Sequence, residues 1–183
     1  MLRQWKQLTS KVVHENPWWT YIYDTFQIAD DIRGEYYYVQ TNGSSMIVPI
    51  TDDGRIVLVN QYRYLGDRES IELPCGGVKK GKTPAEMAKI ELEEETGYTC
   101  STLTCIGSFN PFNGVTNEMC DVFIARGLTP VIAECDVTEE FEVLTRTPAE
   151  IDGMIVSHEI WDGMTLAALA MARTILAQPH TVP

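Results

Sequence analysis

Basic residues are scarce in this chain: 14 Lys and Arg stand against 26 Asp and Glu, leaving a net charge of −12 over 183 residues. That shortage argues against a duplex-binding protein, because affinity for a nucleic-acid backbone comes from clustered Lys and Arg that release counterions. A small phosphorylated ligand is compatible with the charge if a divalent cation stands between its phosphates and the protein's carboxylates. Cysteine is sparse as well. Cys75, Cys100, Cys105, Cys120 and Cys135 form an odd set with no C-x-x-C pair and no His nearby to complete a zinc site, so reduced, mostly buried thiols are expected. His14, His158 and His180 fall in no motif. No run approaches the roughly 18 apolar residues of a membrane span, and MLRQWKQLTSK lacks the apolar core of a signal peptide. Cytoplasmic residence without a membrane partner is therefore expected. Missing too are G-x-G-x-x-G, a Walker-type loop and strong helix–strand alternation, which argues against a doubly wound dinucleotide-binding fold.

With 44% hydrophobic and 22% charged residues, the composition is that of an ordinary globular protein, long enough for one domain plus an N-terminal element. Residues 17–40 hold two tryptophans and five tyrosines in near-alternation around D-D-I-R-G, the pattern of an aromatic hairpin that needs a surface to cover. SSMIVPI (44–50) and RIVLVNQYRY (55–64) flank T-D-D-G, whose Asp53-Gly54 pair suits a tight hairpin turn. IELP (71–74), TCIGSF (104–109), EMCDVFIARGL (118–128) and FEVLTRT (141–147) read as further strands.

TPAE occurs twice, at Thr83–Glu86 and Thr147–Glu150. Each copy sets Thr at the N-cap, Pro at the first helical position and Glu three residues after the cap, so each starts a helix with a capping box. The first helix is expected from about Pro84 to Thr96 with Gly97 as its C-terminal stop, and the second ends near Met154. A third, from about Gly163 to Leu176, is apolar enough to pack on a sheet. Strands dominating the first half and helices interspersed in the second predict an α+β fold, a mixed sheet covered by helices.

The first of these helices carries the chemistry. In KIELEEETGY, Glu91, Glu94 and Glu95 stand at i, i+3 and i+4 and share a face, while Glu93 points away. Like charges at these spacings repel, and the helix C-terminus adds its own partial negative charge, so every local electrostatic contribution is unfavourable. A solvated acidic face is the plain alternative. Just before the helix, however, ELPCGGVKKGK ends a strand at Pro74 and opens a loop at Gly76-Gly77, where backbone can approach a ligand closely. Strand, glycine loop and returning carboxylates would make a pocket for a hard divalent cation.

Gly76 to Tyr98, GGVKKGKTPAEMAKIELEEETGY, resembles a Nudix box: G, five residues, E, seven residues, R-E-U-x-E-E-x-G-U, with U aliphatic or similar. Gly76, Glu91, Leu92, Glu94, Glu95 and Gly97 fall on their positions, and Tyr98 takes the last hydrophobic one. Lys82 stands where the family has its first glutamate and Ile90 where it has an arginine that helps hold the next glutamate. ENPWWTYIYD, GEYYYVQ, VNQYRY and ELPCGG are similar to the ADP-ribose pyrophosphatase branch, so the resemblance extends from about Glu15 to Ala177.

The resemblance implies an α/β/α sandwich with a mixed sheet and an N-terminal antiparallel hairpin, divided as residues 1–43 and 44–183. It implies hydrolysis of a diphosphate linking a nucleoside to another group, with ADP-ribose giving AMP and ribose 5-phosphate. Mg²⁺ or Mn²⁺ would be held by Glu91, Glu94, Glu95 and the backbone carbonyl of Cys75. Glu139 is the favoured late-loop base among Glu139, Glu140 and Glu142. Arg63 takes a substrate or structural ion-pair role, while Pro111, Phe112 and Glu118 outline a substrate loop. Lys79, Lys80 and Lys82 form a basic loop beside the carboxylates. The aromatic hairpin, with Trp18, Trp19 and Tyr36 to Tyr38, resembles an element that relatives exchange between the two subunits of a homodimer. Two alternatives accompany this reading: a catalytically weak nucleotide-binding sensor, and a sugar-nucleotide hydrolase of the same fold.

Overall fold

The computed structural model describes residues 2–132 and 140–176. The chain opens with three antiparallel strands in the order β1-β2-β3: β1 (Lys6–Glu15), β2 (Thr20–Ala29) and β3 (Ile32–Gln40). The expected hairpin is β2–β3, turning at Asp30-Asp31. The strand before it, β1, was not anticipated. All ten of its residues are exposed, so it carries no alternation of buried and solvated positions for a sequence reading to find. Trp5, just ahead of it, stacks on Phe26 of β2 with ring centroids 4.5 Å apart.

Strand β4 (Ser44–Pro49) lies at the centre of the molecule, and all six of its residues are buried. It pairs antiparallel with β7 (Cys75–Gly77) and parallel with β9 (Cys120–Pro130), which in turn pairs with β8 (Tyr98–Phe109). A second sheet has β5 (Ile56–Arg63) between β6 (Arg68–Glu72) and β10 (Glu142–Arg146). The expected hairpin between residues 44–50 and 55–64 is therefore replaced by a corner. The turn itself forms, with Gly54 at φ +81°, but only an isolated Ile50–Ile56 bridge joins its two arms. A strand apolar on both faces gains most from the middle of a covered sheet, and that preference overrides the local turn signal.

Helices α1 (Pro84–Thr96), α2 (Pro148–Val156) and α3 (Gly163–Leu176) cover the sheets. Alternate residues of β4 and β9 face opposite layers. Ile47, Phe123 and Ala125 pack with Ala88 and Leu92 of α1. Met46, Val48, Val122 and Ile124 pack with Ile151 and Met154 of α2 and Ala168, Leu169 and Ala172 of α3. That is helix, mixed sheet, helix, as the α+β reading expects. Both TPAE capping boxes form: at α1 the Thr83 N–H donates to Glu86 Oε2 at 2.8 Å and the Glu86 N–H donates to Thr83 Oγ1 at 3.2 Å. Gly97 closes α1 at φ +69°, in the left-handed conformation that glycine takes without strain. Among the described residues no helix is long and apolar enough to cross a membrane.

Candidate active site

Helix α1 packs on β4 and lies alongside β7, joined to it by the loop of residues 78–83. The helix turns two of its glutamates inward. Glu91 is only 9% exposed and Glu95 7%, with Glu94 half-buried beside them. Carboxylates are rarely buried so deeply without a structural reason. For Glu91 a glycine provides the room: a Cβ on Gly76 would come within 2.0 Å of its Oε1, so glycine here lets the carboxylate lie against the β7 backbone. Glu95 accepts a hydrogen bond from the Cys75 N–H at 3.2 Å. Ile90, on the family's arginine position, carries no charge to pair with Glu91.

These residues line an open cleft of about 1130 Å³ together with Cys75, Gly76 and Gly77. The opposite wall comes from the N-terminal sheet: Val12 and Glu15 of β1, the turn Asn16 to Trp19, Ile22 of β2 and Gln40 to Asn42. Asn16 shapes that turn. Its Oδ1 accepts from the N–H groups of both Trp18 and Trp19 at 2.9 Å, and its own N–H donates to the Trp19 carbonyl at 3.1 Å. The indole of Trp18, 79% exposed, is thus presented at the cleft edge. Lys79 and Lys80 line the cleft as well, whereas Lys82 does not.

Four other residues expected at the site do not line this cleft. Arg63 forms a two-pronged ion pair with Glu72 of β6, through Nε to Oε1 at 2.8 Å and a second contact at 2.5 Å. The guanidinium pKa is raised, chiefly by its bond to Glu72, against its own desolvation and with help from the charges of Glu72, Asp162 and Glu95. Pro111 and Phe112 sit on a loop tied to the N-terminal sheet: the Val39 N–H donates to the Val115 carbonyl at 2.8 Å, and the Tyr36 hydroxyl to the Gly114 carbonyl at 3.0 Å. Glu118 accepts from Ser44 Oγ at 2.7 Å. None of these four lines the cleft. Glu139 lies outside the described residues. Of its neighbours, Glu140 is exposed, and Glu142 begins β10, where Asn60 Nδ2 donates to it at 3.3 Å.

The Cys75 thiol is directed into the core. Its hydrogen bond with the Cys120 sulfur and its burial push its pKa well up, so it stays a neutral group packed against the core. Glu15, Glu91, Glu94 and Glu95 bring carboxylates to the cleft, and carboxylate oxygens suit a hard divalent cation. Among the described residues no three acidic, His or Cys side chains are gathered tightly enough to enclose an ion. The residues that sequence reasoning missed are Asn16 and Glu72. An acid between Ile71 and Leu73 in a strand is a signal that a buried partner is needed, whereas the Asn16 turn had no signal linking it to a motif some 60 residues away.

The NUDIX domain family matches residues 41–168. An ADP-ribose pyrophosphatase of Bacillus subtilis (strain 168) is 35% identical over 133 residues, 72% of each chain. A methanol dehydrogenase activator of Bacillus methanolicus is 32% identical over 144 residues, 78% of each. The crystal structure of an ADP compounds hydrolase superposes with a TM-score of 0.85 at 22% identity, covering 96% of both chains, and shows the same fold. Divalent cations are general cofactors in this family. With the glycine-apposed glutamates of α1 lining one cleft and the family matched over most of the chain, the protein belongs to the Nudix family and is a hydrolase similar to the ADP-ribose pyrophosphatases.

Proposed function

We propose that the protein hydrolyses the diphosphate of ADP-ribose, giving AMP and ribose 5-phosphate, with Mg²⁺ held by Glu91, Glu94, Glu95 and the Cys75 carbonyl. The observation that carries this reading is the shared cleft, with buried carboxylates on one wall and an exposed indole on the other. A cation held there supplies charge that offsets the diphosphate oxygens and acidifies the attacking water. The chain's own residues do the positioning. The Gly76 backbone makes room for Glu91, the Cys75 N–H orients Glu95, and the Trp18 face, held by Asn16, is a stacking surface for the base. Water attacks phosphorus and the P–O bond to the departing half breaks, with Glu139 assigned as the base by the family resemblance.

The N-terminal sheet is the proposed dimer element. Its support is the apolar surface left in the open on and beside β1, where Trp5, Val12 and Val13 are each at least half exposed. A reducing, cytoplasmic setting is part of the same reading, in keeping with the Cys75–Cys120 thiol hydrogen bond. The decisive experiment measures AMP release from ADP-ribose with and without Mg²⁺, comparing the natural chain with Glu94→Gln and Glu95→Gln. Metal-dependent release lost in both variants is expected. Metal-dependent ADP-ribose binding without release would replace the hydrolase by a nucleotide sensor.

A further inference from the structure

Four carboxylates, those of Glu15, Glu91, Glu94 and Glu95, line the cleft, and among the described residues only Lys79 and Lys80 bring positive charge to it. A diphosphate entering such a site meets strong repulsion wherever a cation does not neutralise it. The placement of the two lysines follows from the backbone on either side. The Val78 N–H donates to the Gly43 carbonyl at 2.9 Å, which ties the start of the loop to the chain entering β4. The Lys82 N–H donates to the Lys79 carbonyl at 3.0 Å, and Gly81 at φ +83° closes that turn in a conformation that favours glycine. The backbone of Lys79 and Lys80 is thus held at both ends. The same turn leaves Lys82 outside the cleft, so three nearly adjacent lysines are sorted into two that line it and one that does not.

We infer that Lys79 and Lys80 are substrate-binding residues that take the diphosphate oxygens of the substrate, the side of the anion that the metal-binding carboxylates leave uncompensated. The inference rests on the diphosphate-hydrolase reading. An ammonium group on a flexible stem is a compact point charge and follows an anion as it moves between ground and transition states, so its contribution is mainly to uniform binding. The lysines therefore set KM and its salt dependence and leave kcat nearly alone.

The test is steady-state hydrolysis of ADP-ribose in Mg²⁺ by the full chain, from about 50 to about 300 mM NaCl, a range that shortens the Debye length by a factor of about 2.4. The double variant Lys79→Gln/Lys80→Gln is expected to raise KM roughly tenfold at the low-salt end, with kcat kept within about twofold and a flatter dependence of KM on salt. Lys82→Gln should match the natural chain, and Lys79→Arg/Lys80→Arg should recover the salt dependence. Equal thermal midpoints for all variants separate charge from folding. A double variant with the natural KM and salt slope would overturn the inference while the hydrolase stands, and so would Lys82→Gln raising KM as much as the double variant. No AMP from the natural chain under any of these conditions would instead remove the ADP-ribose reading, and the lysine role with it.

Discussion

The two walls of the cleft are built on opposite principles. The α1 wall is specified within a few residues. Thr83 and Glu86 start the helix, Gly97 stops it, and the i, i+3, i+4 spacing brings Glu91, Glu94 and Glu95 to one side. Its acids lie against backbone: Gly76 beneath Glu91 and the Cys75 N–H on Glu95. The N-terminal wall is a sheet whose first strand is exposed along its whole length, and it reaches the cleft through a turn ordered by one Asn16 side chain. One wall fixes charge and the other offers aromatic area. Chemistry should therefore depend steeply on α1 and binding on the N-terminal turn.

The largest effect tests that division directly. Glu94→Gln and Glu95→Gln keep shape but remove charge, and each should cost more than about 100-fold in kcat/KM, beyond what losing an outer partner of a metal site costs. Stability measured by urea titration should hardly change for Glu94→Gln. A loss of activity that merely tracks unfolding would break the assignment of chemistry to this wall.

Next in size is the pair behind the wall. Arg63→Met leaves the Glu72 carboxylate, 4% exposed, without its two-pronged partner. A fully buried broken pair costs roughly 3–5 kcal/mol, but the Arg63 side chain is 46% exposed, so about 2 kcal/mol of destabilisation by urea titration is expected. On the opposite wall, Trp18→Ala should raise KM about tenfold, the order of one lost base-stacking contact, with kcat and stability preserved. A fall in kcat with KM unchanged would show that the two walls do not divide binding and chemistry as argued.

This contrast also explains what could be read from the chain. Both TPAE helices and the carboxylate face of α1 were legible because capping and helical spacing are local. The β4–β5 hairpin was not, since Asp53-Gly54 specifies a turn but β4 finds its partners at residues 75–77 and 120–125. Strand β1 escaped because uniform exposure leaves no periodic signal. The meeting of Trp18 with Glu91, Glu94 and Glu95 depends on how the N-terminal sheet docks, through Val39 and the 112–117 loop, and nothing near either segment announces it.

The smallest predicted effects come from the two caps, which share a sequence and differ in what they support. Thr83→Ala and Thr147→Ala should each cost about 1 kcal/mol of stability, the usual loss for an N-cap threonine. Only the first should also lower activity, because α1 alone carries site residues. The caps are pH-dependent as well. Hydrogen bonds from Thr83 and Thr147 to the ionised carboxylates hold the pKa values of Glu86 and Glu150 below the ordinary range. Folded values lower than unfolded ones mean that the cap contribution is complete above the unfolded value, near about pH 4.3, and fades as pH falls through the folded one. Urea midpoints of the natural chain and Glu86→Gln should therefore differ most above about pH 5 and converge toward about pH 3. A gap that stayed constant over that range would mean the cap stabilises α1 through hydrogen-bond geometry alone, and the charge of Glu86 would have no part in holding the carboxylate wall in place.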